Sequence, residues 1–88
     1  MTWKIEWDDR ARKELRALDH SIQRRILRFT GKRLTGVEDP RQLGKALGGP
    51  LARLWRYRVG DYRLIGAIED DRLIVLILGV GHRSSVYR

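Results

Sequence analysis

Eighty-eight residues suffice for one domain, and a hydrophobic content of 42% supports a folded core rather than a disordered tail. Nineteen Lys and Arg against eleven Asp and Glu leave a net charge of +8, a field that favours nucleic acid, an acidic protein or an anionic surface as partner. With no cysteine there is neither a disulfide framework nor thiolate chemistry, and the two histidines, His20 and His82, have no spacing that resembles a metal-ligand set.

Trp3, Ile5 and Trp7 alternate with Lys4 and Glu6, which predicts a half-buried first strand over residues 2–7 rather than the apolar run of a signal peptide. Asp8 or Asp9 then caps a helix in which Ala11, Leu15 and Leu18 fall at i, i+4 and i+7. At a helix start the acidic pair complements the macrodipole, a simpler role than a catalytic or metal-binding dyad.

Asp19-His20-Ser21 reads as a tight connection, with His20 in the loop and Ser21 as the next cap. In the second helix Ile22, Ile26, Phe29 and Leu34 keep helical spacing up to Gly36, so the two helices should form an antiparallel hairpin laid on a sheet. Arg24, Arg28 and Lys32 recur every four residues, with Arg25 and Arg33 alongside. Like charges at that spacing are mildly destabilising; the row is either a solvated face or a rim that meets phosphates.

Residues 36–52 hold four glycines and two prolines, which predicts an ordered loop. Gly44-Lys45 and Gly48-Gly49 give only a weak phosphate-loop signal, because the P-loop pattern is absent.

The stretch Leu54-Trp55-Arg56-Tyr57-Arg58-Val59-Gly60-Asp61-Tyr62-Arg63-Leu64-Ile65 reads as a β-hairpin with a type II′ turn at Gly60-Asp61. Val59 then pairs with Tyr62, Arg58 with Arg63, Tyr57 with Leu64 and Arg56 with Ile65. Alternation places Trp55, Tyr57, Val59, Tyr62 and Leu64 on one face and Arg56, Arg58 and Arg63 on the other. Opposed like charges cost about a few tenths of a kcal/mol or more. The arginine face is therefore either plain solvated surface in a basic protein or a platform for an anion.

Glu69-Asp70-Asp71-Arg72 is a polar turn whose acids keep it solvated. Leu73 to Leu78 is the most apolar strand, expected to be central and buried on both faces. It is also the longest apolar run, far short of the roughly eighteen residues that span a bilayer. The order β-α-α-β-β-β predicts one α+β domain over residues 1–88, an antiparallel sheet covered on one face by the helical hairpin.

The order of elements, the hairpin at 54–65 and the ending Val-Gly-His-Arg-Ser-Ser-Val-Tyr-Arg at 80–88 resemble the RelE toxins of the RelE/ParE superfamily of type II toxin–antitoxin modules. The similarity covers essentially the whole chain. It implies a metal-independent, cofactor-free mRNA interferase that cuts message in the ribosomal A site. The 2′-hydroxyl attacks the adjacent phosphate and leaves a 2′,3′-cyclic phosphate and a 5′-hydroxyl.

By the same resemblance, the two hairpin lysines of the family fall on Arg56 and Arg58, the arginine after the turn on Arg63, the arginine of the last strand on Arg83, and the tyrosine on Tyr87. Arg63 would hold the scissile phosphate as a fork, Arg56 and Arg58 would add to its field, and Arg83 would stabilise the leaving 5′-oxygen. Tyr87 would stack on a base or move a proton, and His82 is a better proton donor than Arg83 on pKa grounds. Arginine at 56 and 58 removes any lysine-like general base, which leaves the proton to Tyr87 or His82, or the rate to electrostatics and positioning. Ser84-Ser85 are loop residues with no base to activate them.

Arg24, Arg28, Lys32 and Lys45 become candidate RNA and ribosome contacts. The implied partners are an acidic, RelB-like antitoxin encoded adjacently, the ribosome and mRNA, with no membrane. The setting is cytoplasmic, and a free monomer forms a hetero-oligomer with its antitoxin. The alternatives are a ParE-like inhibitor of DNA gyrase and a non-catalytic or decayed nucleic-acid-binding homologue.

Overall fold

The computed structural model describes residues 2–51 and 53–82. In chain order these form strand β1 (Lys4–Trp7), helices α1 (Asp9–Arg16) and α2 (His20–Arg28), and strands β2 (Gly44–Ala46), β3 (Leu54–Val59), β4 (Tyr62–Glu69) and β5 (Ile74–His82). The strands make one sheet in the order β1-β5-β4-β3-β2. The α+β class and the helical layer are as predicted. Two details are added: β2, and a parallel pairing of β1 with β5 in an otherwise antiparallel sheet. Alternation in a sequence marks the face of a strand but not its direction, so the parallel pair left no local trace.

Asp8 caps α1 as expected, its carboxylate accepting from the Arg10 backbone N–H at 3.2 Å. The second helix departs from expectation. It begins at His20, with Asp19 rather than Ser21 at the cap position, so His20 is helical and not a loop residue. Its α-helical part is followed by a π-helical stretch, Phe29–Leu34. Residues five apart share a side of a π turn, and this brings both Phe29 and Leu34 into the core.

The connector contains a 3₁₀ turn, Pro40–Leu43, capped by Asp39, and then the short edge strand β2. Local composition hid β2 because its pairing comes from β3: Gly44 lies opposite Tyr57, Lys45 opposite Arg56 and Ala46 opposite Trp55. Only glycine fits at 44, where a Cβ would stand 2.7 Å from the Arg56 carbonyl oxygen and 2.9 Å from the Tyr57 ring. Arg41 ties this connector to the β4–β5 turn through a two-pronged pair with Asp70 at 3.0 and 2.6 Å. That guanidinium holds the Asp70 carboxyl below its ordinary range.

Trp3, Ala11, Leu15, Ile26, Phe29, Leu34, Tyr57, Leu64, Val75, Ile77 and Val80 form one core between the helices and the sheet. β5 is interior, between β1 and β4, while the middle position belongs to β4. It starts at Ile74 because Leu73 takes the left-handed conformation, φ 53, that closes the preceding turn. β5 also carries a bulge: Ile65 pairs with Gly79 and Gly66 with Ile77, leaving Leu78 without an opposite number. β1 pairs no further than Ile77, and beyond it the Val80 N–H donates to Glu14 Oε1 of α1 at 2.9 Å.

Candidate active site

The β3–β4 hairpin has the register read from the sequence, with Arg58 opposite Arg63 and Arg56 opposite Ile65. Gly60 has φ +60, the value a II′ turn requires at its first central residue. Tyr57 anchors the hairpin on the helical side. Its ring meets Phe29 at 6.0 Å between centroids and lies against the backbone at Gly44 and Gly66. Burial pushes the Tyr57 phenol up to about 12, an effect that the nearby positive charge of Arg41 partly opposes. Its hydroxyl has no hydrogen-bond partner, so Tyr57 serves as scaffold.

On the opposite face the three arginines are not equally presented. Arg58 is exposed and Arg56 half-buried, but Arg63 is only 5% exposed. This corrects the expectation of a uniformly outer arginine face. Arg63 and Ile65 pair with Gly81 and Gly79 of β5. Arg63 Nη1 donates to the Tyr62 carbonyl at 3.4 Å, and its Nε is buried with no partner. Among the described residues none of the three arginines is in an ion pair. A buried cation that faces another cation and lacks an anion is costly, and its spare donors can accept one.

Two clefts flank the edge of β3. The first, about 320 Å³, is lined by Gln42, Leu43, Gly44, Lys45, Arg56 and Arg58. The second, about 360 Å³, lies between the second helix and the hairpin tip, with Arg25, Arg28, Phe29, Lys32, Arg33, Arg58, Val59 and Gly60 around it. Arg58 belongs to both because β2 stops at Tyr57, which leaves the next residue of β3 on an open edge.

The candidate residues therefore divide. Lys45, Arg56, Arg58 and Arg63 share one side of the hairpin, since Lys45 pairs with Arg56. Arg28 and Lys32 line the other cleft, and Arg24 is exposed and lines neither. His82 pairs with Tyr62, and their rings meet edge-on at 5.6 Å, so His82 lies across the sheet from Arg63 rather than beside it. The bulge at Leu78 is the cause. Alternation counted straight from Ile77 puts residue 82 on the arginine face, and one extra residue reverses it. Arg83, Ser84, Ser85 and Tyr87 lie outside the described residues.

Sequence reasoning missed the participation of Gln42 and Leu43, and the joining of Arg25, Phe29 and Arg33 with Gly60 across the fold. The helical row of cations was visible, but nothing local says that a hairpin tip packs beside it.

The family model for the ParE toxin of type II toxin–antitoxin systems, parDE, matches residues 5–87. The chain is 33% identical to the toxin RelG of Mycobacterium tuberculosis, over 100% of this chain and 99% of that protein. It is 30% identical to the mRNA interferase toxin RelE of Escherichia coli, over 99% of this chain and 92% of that protein. The toxin–antitoxin complex RelBE2 of M. tuberculosis contains a chain that superposes with a TM-score of 0.87 at 30% identity, covering 97% of this chain and 95% of that one. In the archaeal RelE–RelB complex of Pyrococcus horikoshii the values are 0.74 and 28%, with coverage of 98% and 100%.

Proposed function

The chain belongs to the ParE/RelE family of type II toxins, and from that premise we propose that it is an endoribonuclease that cuts translated mRNA in the ribosomal A site. It is a RelE-like toxin, and its partner is a cognate antitoxin. The observation that carries the catalytic reading is the Arg58–Arg63 pair, in which a buried guanidinium with an unpartnered Nε faces a second cation and no carboxylate.

In the proposed reaction the ribose 2′-oxygen attacks the adjacent phosphorus, the bond to the 5′-oxygen breaks, and a 2′,3′-cyclic phosphate and a 5′-hydroxyl result. Negative charge grows on the phosphate oxygens, and Arg63 offers them a two-pronged contact that strengthens as the charge develops. Arg56, Arg58 and Lys45 add to the field and hold the neighbouring backbone. Arginine does not release its proton at neutral pH, so none of the three arginines is the base. Much of the rate comes from electrostatics and from the ribosome's alignment of the message. Tyr87 is the proposed proton-transfer group and Arg83 the partner of the leaving oxygen. No metal takes part. His82, across the sheet, is given no role in the chemistry. Arg24 is assigned to contact with ribosomal RNA.

Primer extension on a translated message in a purified translation system tests the reading, with Arg63→Ala and Arg63→Lys beside the wild type. Codon-registered, ribosome-dependent cuts ending in cyclic phosphate are expected. They should fall by about 10²-fold or more in Arg63→Ala, the scale of losing one donor to a developing oxyanion. Arg63→Lys keeps the charge without the fork and should restore only part of the rate. Cuts unchanged in Arg63→Ala would overturn its role. The family model's name favours one second reading, inhibition of DNA gyrase, which predicts double-strand DNA breaks and an intact message.

A further inference from the structure

Two features of the edge strand β2 work against it. It is three residues long and is paired on one side only, because β3 is its single neighbour at the end of the sheet. Its charged residue, Lys45, stands opposite Arg56, and like charges directly across a pair of strands are destabilising. Yet the first cleft depends on β2, since Gly44 and Lys45 line it together with Gln42, Leu43, Arg56 and Arg58.

What holds the strand lies in the turn just before it. Pro40 and Leu43 press the connector onto the core, and between them Arg41 reaches away to a separate element. Its guanidinium makes the two-pronged contact with Asp70 at 3.0 and 2.6 Å, donates to Asp39 at 3.2 Å and lies 5.9 Å from the centre of the Trp55 ring. Trp55 is the partner of Ala46, so the ring under the guanidinium belongs to the ladder that carries β2. An isolated surface ion pair is worth little, but a fork shared by two carboxylates and backed by an indole is a network of fixed geometry. Arg41 itself lines neither cleft.

We propose that Arg41 is a positioning residue for the phosphate site: by clamping the connector to Asp70 of the β4–β5 turn, it holds β2 in register and keeps Lys45 beside Arg56. The inference rests on the reading of the sheet face as an RNA site, and adds to it a residue that touches no RNA. Without the clamp, repulsion between Lys45 and Arg56 opens the edge, and the cleft loses one of its three cations. The sign of the charge separates this role from a plain field effect. Neutralising Asp70 makes the protein more positive and, acting as a field, would draw RNA in; as a broken clamp it weakens binding.

The test uses the full-length toxin and a short single-stranded RNA whose 2′-O-methyl groups prevent cutting. Binding is followed by fluorescence anisotropy over a salt series for the wild type, Arg41→Ala, Arg41→Lys, Asp70→Asn, Lys45→Ala and the double variant Arg41→Ala with Lys45→Ala. Arg72→Ala is the control, since it removes an ion pair to Glu69 within the same turn and leaves the connector alone. Thermal melts establish that each variant is folded. Arg41→Ala should weaken binding about fivefold and lower the salt slope by about 0.7, the value of one phosphate contact on a single strand, as Lys45→Ala does. The double variant should be no worse than either single one. Asp70→Asn should also weaken binding, Arg41→Lys should recover part of the loss, and Arg72→Ala should stay close to the wild type. Exchange of the Leu47 amide, which donates to the Leu54 carbonyl just past β2, should quicken about tenfold in Arg41→Ala with the β5 amides unchanged. A loss of stability alone would leave the salt slope where it was. A wild-type slope in folded Arg41→Ala overturns the proposal, and so does tighter binding by Asp70→Asn or losses that add in the double variant. A wild type that does not bind the RNA removes the phosphate site and the proposal with it. Reduced slopes in a toxin that cuts no message keep the clamp while removing the proposed reaction, so the two failures are distinct.

Discussion

Tyr57 anchors the β3–β4 hairpin in the core, yet its hydroxyl is buried with no partner. A buried hydroxyl without a hydrogen bond costs about 1–3 kcal/mol, so Tyr57→Phe should be neutral or stabilising, visible as an unchanged or raised Tm, with cutting intact. The same group gives a pH signature. Its folded pKa, pushed up to about 12 by burial, lies above the unfolded value near 10, so its contribution to stability is complete below pH 10 and is lost as pH climbs from there towards 12. Denaturant melts across that range should show a shallower alkaline loss in Tyr57→Phe; a wild-type profile in the variant would assign the loss to other groups. Arg63 shows where residue-level reading stops. Its place in the register was legible, because Gly60-Asp61 fixes the turn and alternation fixes the face. Its burial was not, because alternation marks the face a residue takes, while what covers that face is set by packing distant in sequence.

That bulge is the element on which the site's geometry turns. The strand preferences of Leu73 to Leu78 announced β5, but an apolar run carries no mark of which residue will be left unpaired, and that one extra residue sets His82 on the face opposite Arg63. A contact two residues past the bulge spans 66 positions in sequence, from Glu14 of α1 to the Val80 N–H. Glu14 supplies the acceptor that β1 no longer offers after Ile77. Glu14→Ala should strand a partly buried N–H, destabilise the fold by about 1–3 kcal/mol and speed amide exchange over Gly79 to His82, while Glu14→Gln, which keeps an oxygen acceptor, should recover most of the loss. Equal exchange in all three proteins would show that this end of β5 is held by β4 alone. β2 was hidden for a related reason. A glycine-bounded triplet has no strand signal of its own, and its neighbour β3 supplies it.

At the scale of the whole molecule the net charge of +8 is distributed with a purpose. The carboxylates Glu6, Asp9, Glu14, Asp39, Glu69 and Asp70 are engaged by cations of β1, α1, the connector and the β4–β5 turn, while the cations around the two clefts are left without ion-pair partners among the described residues. The sequence disclosed the excess but not this partition, which requires the helix row and the hairpin to meet. An unneutralised patch of this kind steers an anionic partner during approach, and the attraction fades beyond a Debye length of roughly 8 Å at physiological salt. The association rate of toxin with antitoxin should therefore fall about tenfold or more between low salt and several hundred millimolar, with a much smaller change in dissociation. Stopped-flow measurements over a salt series decide it. If the rate constant for association stays flat while dissociation quickens, the charges act only after contact, as bonds rather than as a field.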